Sequence, residues 1–226
     1  MQIGVLGATG PAGKGLAARL ASVGHEVIAG SRELDRADAT VAALSERWGE
    51  RVATLRPGEN AAAADAGDMV IVATTWEAAV ETTRSHAGAL TGKVVVSMAN
   101  GLEKIGNEFR PVFPAEGSVA AAVQAAAPSA RIVSAFHLIP AGGFAALDTV
   151  LESDVVVCGD DDAARASVLG LVIGIPKLRA FDGGSLSNAV GLEAFASVLL
   201  TVNLRHKGKG TLRLLGVDGY LAGGDR

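Results

Sequence analysis

The chain opens with MQIGVLGATGPAGKG at residues 1–15, and this stretch decides the fold class. Residues 3–6 predict a buried strand, residues 7–13 a glycine-rich turn and residues 11–23 a helix. A second strand is predicted at residues 27–30. A strand, a glycine-rich turn, a helix and a second strand in this order are typical of a unit that binds the phosphates of a dinucleotide.

The turn suits phosphate because the first turn of a helix carries unpaired backbone N–H groups and a partial positive charge. We expect Gly10 to let the backbone approach the phosphates and Gly13 to let the helix pack on the strand. A P-loop would require Gly at position 8 and Ser or Thr at position 15, so Ala8 and Gly15 exclude it. The predicted cofactor contacts in this turn are Gly7, Thr9, Gly10, Pro11, Ala12 and Gly13.

The end of the second strand distinguishes NAD from NADP. An NAD site usually carries Asp or Glu there, which accepts a hydrogen bond from the ribose 2′-hydroxyl and would repel a 2′-phosphate. Here Ser31 and Arg32 take that place, and Arg36 follows one helical turn later. A guanidinium binds phosphate through two donors in a fixed fork, and a serine hydroxyl can add a third. The sequence therefore predicts NADP(H), bound at this end by Ser31, Arg32 and Arg36.

Strands and helices continue to alternate along the chain. Strands are predicted at residues 52–55, 69–73, 93–97 and 131–136, and helices at residues 34–48, 60–66, 76–86 and 117–127. Continuous apolar strands between helices favour a parallel sheet that is covered on both faces. We therefore predict an α/β fold, a Rossmann-type doubly wound and mainly parallel sheet, with residues 1–140 as the NADP-binding domain.

Residues 141–226 predict a smaller C-terminal α/β part that completes the cleft. Residues 137–148 predict a loop, residues 155–158 and 177–181 strands, and residues 160–162 the N-cap of a helix that extends to about residue 173. Residues 187–205 predict a long helix that is apolar almost all around. Such a helix packs against a partner subunit or against the cofactor domain, and we expect a homodimer through it.

Composition excludes several classes of protein. The net charge of −4 argues against general nucleic-acid binding. A single cysteine, Cys158, rules out a disulfide framework and a cysteine-based metal site, and fits a reduced cytoplasmic setting. The four histidines show no ligand spacing, so we predict no metal. Glu193 interrupts the longest apolar run, so we expect no membrane partner.

Several stretches, taken together, resemble the NADPH-dependent coenzyme F-420 reductases. The resemblance covers nearly the whole chain in order, and its most specific parts are HLIPA at residues 137–141 and CGDDD at residues 158–162. The other matching stretches are residues 7–15, GHE at 24–26, GSR at 30–32, WEA at 76–78, VSAF at 133–136, FAALD at 144–148 and LSN at 186–188.

The resemblance implies hydride transfer between C4 of the nicotinamide and C5 of the deazaflavin ring of coenzyme F-420, which would be the co-substrate. It implies that His137 and Ile139 line the cleft where the two rings stack, and these are our candidate catalytic residues. His137 either donates a hydrogen bond to a ring oxygen, forms a wall of the cleft or caps a loop. Further predicted cofactor contacts after the fourth and fifth strands are Thr74, Trp76, Ala99 and Asn100.

Two departures from the family pattern keep alternatives open. Arg36 replaces a usual lysine and keeps its charge. SMANGL at residues 97–102 replaces a proline-containing turn that faces the cleft. The second change favours an alternative acceptor, either a flavin or a small imine or keto acid, for the same NADPH-dependent chemistry. A protein that senses NADPH without turnover is a further alternative, although the 137–141 stretch favours an enzyme.

A basic stretch follows the long helix and has two interpretations. The charges can balance the partial negative charge of the helix C-terminus. They can also attract the phosphate and glutamate tail of the deazaflavin coenzyme. The stretch comprises Arg205, His206, Lys207, Lys209 and Arg213.

Overall fold

A computed structural model describes residues 1–220, and these form ten strands and eight α-helices. The strands are β1 (Gln2–Leu6), β2 (Glu26–Ser31), β3 (Leu55–Glu59), β4 (Met69–Val72), β5 (Val94–Ser97), β6 (Leu102–Ile105), β7 (Glu108–Pro111), β8 (Arg131–Ser134), β9 (Ser153–Gly159) and β10 (Leu178–Asp182). The helices are α1 (Pro11–Ser22), α2 (Leu34–Trp48), α3 (Asn60–Ala64), α4 (Trp76–Ser85), α5 (Val119–Ala126), α6 (Ala141–Ala145), α7 (Asp162–Ile173) and α8 (Ala189–His206).

Eight strands form one sheet in the order β10-β9-β8-β5-β4-β1-β2-β3. Every neighbouring pair is parallel except β8 and β9, which are antiparallel. β6 and β7 form a separate antiparallel hairpin. The predicted doubly wound, mainly parallel α/β fold is therefore confirmed.

The apolar strands are buried because helices cover both faces of the sheet. On β4, Ile71 enters one hydrophobic cluster, while Val70 and Val72 enter the other. Successive side chains of a strand point to opposite faces, so a central strand needs apolar residues at every position. The first cluster includes side chains of α1, α2 and α7, and the second includes side chains of α3, α4 and α5.

The third strand lies further along the chain than the sequence predicts. The prediction of a strand at residues 52–55 is wrong, because residues Gly49–Val52 form a 3-10 helix and β3 spans Leu55–Glu59. Arg56, Pro57 and Gly58 resemble a turn in sequence. β3 is an edge strand of the sheet, and an edge position tolerates the missing N–H of Pro57.

Two elements were missed by the sequence analysis. The β6–β7 hairpin follows β5 and turns at Gly106 and Asn107, where Gly106 has a φ of +58° that favours glycine. The predicted loop at residues 137–148 contains the short helix α6. Its glycines and the preceding Pro140 indicate a loop, but Pro140 is the N-cap of α6 and Phe144 is fully buried.

The C-terminal strands extend the same sheet. β9 pairs with β8 through Val133–Gly159 and Ser134–Cys158, and β10 adds to the outer side of β9. A division of the chain at residue 140 into two domains stays a prediction. The predicted cap of α7 is confirmed, because the Asp161 carboxylate accepts a hydrogen bond of 2.7 Å from the Ala164 N–H.

Residues 212–220 lie along the β10 side of the sheet. Asp154 forms a two-point ion pair with Arg179 at 2.7 and 2.6 Å, and it also accepts a hydrogen bond from the Leu214 N–H. Tyr220 then pairs with Ala180 of β10 through two backbone hydrogen bonds of 3.1 and 2.8 Å. Asp154 is buried, and Arg179 also donates to the Leu214 carbonyl oxygen at 2.7 Å, so these two side chains together hold Leu214 against the sheet.

Helix α8 is buried along one face and exposed along another. Its buried Glu193 accepts hydrogen bonds from the Val119 and Ala120 N–H groups at 2.7 and 3.0 Å, so it caps the start of α5. On the exposed face lie Phe195 and Val198. By length and composition alone, residues Leu186–His206 are apolar enough to cross a membrane, as are the core helices of many soluble proteins.

Candidate active site

The predicted site residues lie at one edge of the sheet. Each group of them follows the carboxyl end of a strand, and these strands are mutually parallel, so their ends meet. Ligands of open α/β sheets bind at this edge. The groups are residues 7–13 after β1, Ser31 and Arg32 at the end of β2, Thr74 and Trp76 after β4, Ala99 and Asn100 after β5, and His137 and Ile139 after β8.

The glycine-rich turn has the shape that a phosphate site requires. Gly7 has a φ of +79°, and Gly10 is the N-cap of α1. A Cβ added to Gly13 would lie 2.6 Å from the Gly7 carbonyl oxygen, so α1 packs on the turn only because Gly13 has no side chain. A Cβ at Gly10 would meet no protein atom closer than 3.5 Å, which leaves this position open to a ligand.

Thr74 lies directly against the turn and has an unused polar atom. A Cβ added to Gly7 would approach the Thr74 Cγ2 to 2.6 Å. Within residues 1–220, the Thr74 Oγ1 and the Trp76 Nε1 are buried without a hydrogen-bond partner. An unpaired buried hydroxyl is costly, and its position beside Gly7 fits a ligand that supplies the missing partner. Trp76 itself packs against the cluster that contains Leu6 and Val72.

The end of β2 presents two exposed cations next to a buried hydroxyl. Ser31 is 3% exposed, and its Oγ accepts a hydrogen bond of 3.3 Å from the Glu33 N–H. Arg32 and Arg36 are exposed, and neither side chain forms an ion pair within the described part of the chain. Free guanidinium groups one helical turn apart fit a 2′-phosphate.

His137 is held on both sides of its ring. The Asn100 Oδ1 lies 2.9 Å from the His137 Nδ1, and the Ser134 Oγ lies 2.6 Å from the Nε2. The Asn100 amide Nδ2 also donates to the His137 carbonyl oxygen at 3.1 Å. Burial lowers the pKa of His137 to about 4, so the ring is neutral at pH 7. Both ring nitrogens are engaged within the protein, which leaves His137 no free donor for a substrate oxygen.

Ser134 was not predicted as a site residue. It occupies the last position of β8, three residues before His137, and is fully buried. A serine that close to a histidine at the end of a strand is the only sequence signal for this contact. Ile139, by contrast, was predicted, and it lines a small cavity together with Phe136, Asp154 and Leu192.

A strained residue sets the direction of the His137 loop. Phe136 has a φ of +67°, a conformation that costs a residue other than glycine about 1–3 kcal/mol. The buried ring of Phe144 packs edge-on against Phe136 with ring centroids 5.8 Å apart. Phe144 belongs to α6, and α6 in turn packs on α1 at Gly15. Helix α1, which begins at the glycine-rich turn, therefore supports the loop that carries His137.

The basic stretch begins at the end of α8 and reaches Asp154 of β9. Arg205 pairs with Glu108 of the β6–β7 hairpin, and Lys207 is the C-cap of α8 with a φ of +51°. Arg213 lies 3.7 Å from Asp154, which lines the small cavity beside Ile139. Within residues 1–220, no group of His, Cys, Asp or Glu side chains is arranged to hold a metal ion.

The nucleotide-binding turn, the cations after β2 and the facing His137 loop define an NADP-dependent oxidoreductase of the Rossmann type. A family model described as "NADP oxidoreductase coenzyme F420-dependent" matches residues 2–101. The F420-dependent NADP reductase of Methanocaldococcus jannaschii is 36% identical over 93% of this chain and 96% of that relative. The chain therefore belongs to the family of F420-dependent NADP reductases.

Two further comparisons agree with this placement. The F420-dependent NADP reductase of Methanothermobacter marburgensis is 29% identical over 92% of this chain and 94% of that relative. A crystal structure from Arthrobacter sp. FB24, of a protein proposed to be an F420-dependent NADP reductase, has a TM-score of 0.78 and 26% identity. It covers 92% of this chain and 96% of that chain. The likeness extends over both the N-terminal and the C-terminal halves.

Replacing Arg32 with Ala tests the cations after β2. We expect the KM for NADPH to rise about 10-fold to 100-fold, because a charged hydrogen bond to phosphate contributes roughly 1.5–3 kcal/mol. The KM for NADH should change little, since NADH has no 2′-phosphate. Steady-state kinetics with both nucleotides measures this difference. Arg84→Ala, at the far end of α4, is the matched control, and equal losses for NADPH and NADH in the Arg32 variant would contradict the assignment.

The buried neutral state of His137 predicts a dependence of stability on pH. A histidine whose pKa falls from 6.5 to about 4 on folding binds its proton more weakly in the folded state than in the unfolded chain. The free energy of unfolding that this group contributes is fully present above pH 6.5 and is lost as the pH falls towards 4. We expect the free energy of unfolding to decrease by about 3 kcal/mol between pH 7 and pH 4 from this group.

Urea denaturation at both pH values measures the change. The decrease should be smaller in His137→Gln by the contribution of His137, whatever the absolute stability of that variant. His206→Gln is the control, because His206 is exposed at the end of α8. An identical pH dependence in the wild-type protein and in His137→Gln would show that the ring is not buried in its neutral form.

Proposed function

We propose that this protein transfers a hydride between NADP(H) and the deazaflavin coenzyme F-420. One observation carries the proposal: a phosphate-binding turn and a buried His137–Ile139 loop meet at one sheet edge, in a chain 36% identical to an F420-dependent NADP reductase over 93% of its length. The acceptor ring requires a second binding surface beside the nicotinamide. The loop after β8 supplies apolar and polar groups for that surface.

The residues of the edge divide into four roles in this proposal. Gly7, Thr9, Gly10, Pro11, Ala12 and Gly13 bind the pyrophosphate at the start of α1. Ser31, Arg32 and Arg36 bind the 2′-phosphate, and Thr74, Trp76, Ala99 and Asn100 border the nicotinamide. Bound NADPH would supply the hydride, and the protein contributes orientation and exclusion of water. His137 and Ile139 form the wall against which the second ring lies.

Absorbance at the deazaflavin band tests the function directly. With purified protein, NADPH and oxidised coenzyme F-420, we expect the band to bleach, and to bleach at least about tenfold more slowly with NADH. Each nucleotide alone with coenzyme F-420, without protein, is the control. The dependence on both NADPH and protein identifies the two substrates in one experiment.

Two other outcomes point to the alternatives. Bound NADPH with no bleaching would contradict the use of coenzyme F-420, and flavins and small imines or keto acids would then be tried as acceptors. NADPH binding without oxidation by any acceptor would instead indicate a sensor. In either case substitutions within residues 97–102 would be tested next, since these residues differ from the family pattern and Asn100 contacts His137 directly.

We further propose a cytoplasmic homodimer that acts on small redox coenzymes, without nucleic-acid or membrane partners. The net charge and the single buried Cys158 support the setting. The dimer is supported by the exposed apolar residues Phe195, Val198 and Val202, which recur on one face of α8.

Light scattering tests the dimer. We expect twice the 22.7 kDa chain mass for the wild-type protein and the mass of one chain for Val198→Glu, because a carboxylate in an apolar interface is not solvated. Val150→Glu is the matched control, since Val150 is an exposed valine in the loop between α6 and β9 and not on α8. A monomeric wild-type protein, or a dimeric Val198→Glu variant, would contradict an interface on this face.

A further inference from the structure

One buried chain of hydrogen bonds joins two loops at the carboxyl edge. The loop after β5 contributes Asn100, and β8 with its following loop contributes Ser134 and His137. β5 and β8 are neighbours in the sheet, and their last paired residues are Ser97 and Ser134. The side-chain bonds therefore continue the contact between the two strands beyond the point where their backbone ladder ends.

The hydrogen bonds determine where the ring proton of His137 lies. The His137 carbonyl oxygen can only accept, so the Asn100 Nδ2 must face it, and the Asn100 Oδ1 must then face the ring. An amide oxygen also only accepts, so the His137 Nδ1 carries the proton. The Nε2 is therefore without a proton and accepts from the Ser134 hydroxyl at 2.6 Å.

Few charged groups lie near His137 that could stabilise its protonated, positively charged form. Asp154 lines the same small cavity as His137, but its carboxylate is paired with Arg179 and lies 3.7 Å from Arg213. His137 is only 7% exposed, and Ser134 is fully buried. The ring thus has neither a free carboxylate to stabilise a second proton nor a free nitrogen to give its proton away.

We propose that Asn100, His137 and Ser134 form a positioning clamp that fixes the loop after β5 against the loop after β8. His137 holds this clamp as a neutral ring protonated at Nδ1 and is not the source of a proton for the substrate. The inference rests on the proposed function, in which the first loop borders the nicotinamide and the second borders the acceptor ring. Transfer between two rings depends steeply on their separation, so the distance between these loops controls the rate.

Neighbouring parts of the structure depend on the same clamp. Gly101 follows Asn100 and accepts a hydrogen bond of 2.8 Å from the Val112 N–H, which attaches the β6–β7 hairpin to this loop. On the other side, the strained Phe136 turns the chain so that His137 faces Asn100. The clamp therefore lies between the hairpin and the Phe136 turn, and both hold it in place.

Nitrogen NMR of the histidine rings tests the proton position without any substrate. In protein labelled with ¹⁵N-histidine, we expect the His137 signals, assigned by their loss in His137→Gln, to show a neutral ring protonated at Nδ1 from pH 6 to pH 8. In Asn100→Ala the preference for Nδ1 should weaken, because the amide oxygen is gone and the Ala99 carbonyl oxygen is left as the backbone acceptor for the ring. A proton on Nε2, or a charged ring at pH 7, would overturn the proposal.

Single-turnover kinetics tests the effect on the reaction. At saturating NADPH and coenzyme F-420, we expect Ser134→Ala and Asn100→Ala to slow hydride transfer about tenfold or more. In parallel steady-state assays, Ser134→Ala should change the KM for NADPH less than about threefold, because Ser134 borders no ligand. Ser134→Thr keeps the hydroxyl and should restore most of the rate. Thr83→Val is the matched control, because Thr83 is also fully buried and its hydroxyl donates only to the Ala79 carbonyl oxygen within α4, at 2.8 Å.

The two experiments separate this inference from the proposed function. Wild-type rates in Ser134→Ala and Asn100→Ala would overturn the clamp while leaving transfer to coenzyme F-420 intact. A wild-type protein that does not reduce coenzyme F-420 would contradict the function, whereas the ring spectra, recorded without substrate, still decide the state of His137.

Discussion

The buried guanidinium of Arg19 joins helix α1 to the segment that follows the His137 loop. Arg19 lies on α1 and donates to three carbonyl oxygens at the end of α6, those of Gly143 and Ala146 at 2.9 and 2.7 Å and that of Phe144 at 3.3 Å. Burial lowers the pKa of Arg19, but its charge remains because the group is so strongly basic. Without it, these carbonyls would lose their donor, at a cost of about 1–3 kcal/mol for each one left buried.

The geometry of the site follows from this contact. Gly15 brings α1 and α6 together, since a Cβ there would lie 3.0 Å from Phe144. Phe144 then supports the strained Phe136, and Phe136 directs His137 towards Asn100. The start of α1 and the loop that carries His137 are thus parts of one packed unit. In the function we propose, this unit would set the position of the cofactor's phosphates relative to the acceptor ring.

The opening unit could be predicted from sequence because its chemistry is local. The positions of Gly13 and Arg32 can be predicted from a stretch of about thirty residues, and the structure places both at the carboxyl edge of the sheet, as expected. The position of β3 could not be predicted, since only its place at the sheet edge explains how Pro57 is accommodated. Partners distant in sequence, such as Asn100 and His137, depend on the strand order, which no local pattern encodes.

Pro57 and the segment that ends at Tyr220 also determine how copies of this protein can meet. An exposed strand edge offers a ladder of N–H and C=O groups to any other strand. On the β3 side, Pro57 removes one N–H donor from that ladder. On the β10 side, the backbone N–H and C=O groups of Ala180 are already paired with Tyr220. Strand addition is thus discouraged at both ends of the sheet, which keeps concentrated protein from growing into chains of joined sheets and leaves association to helix surfaces.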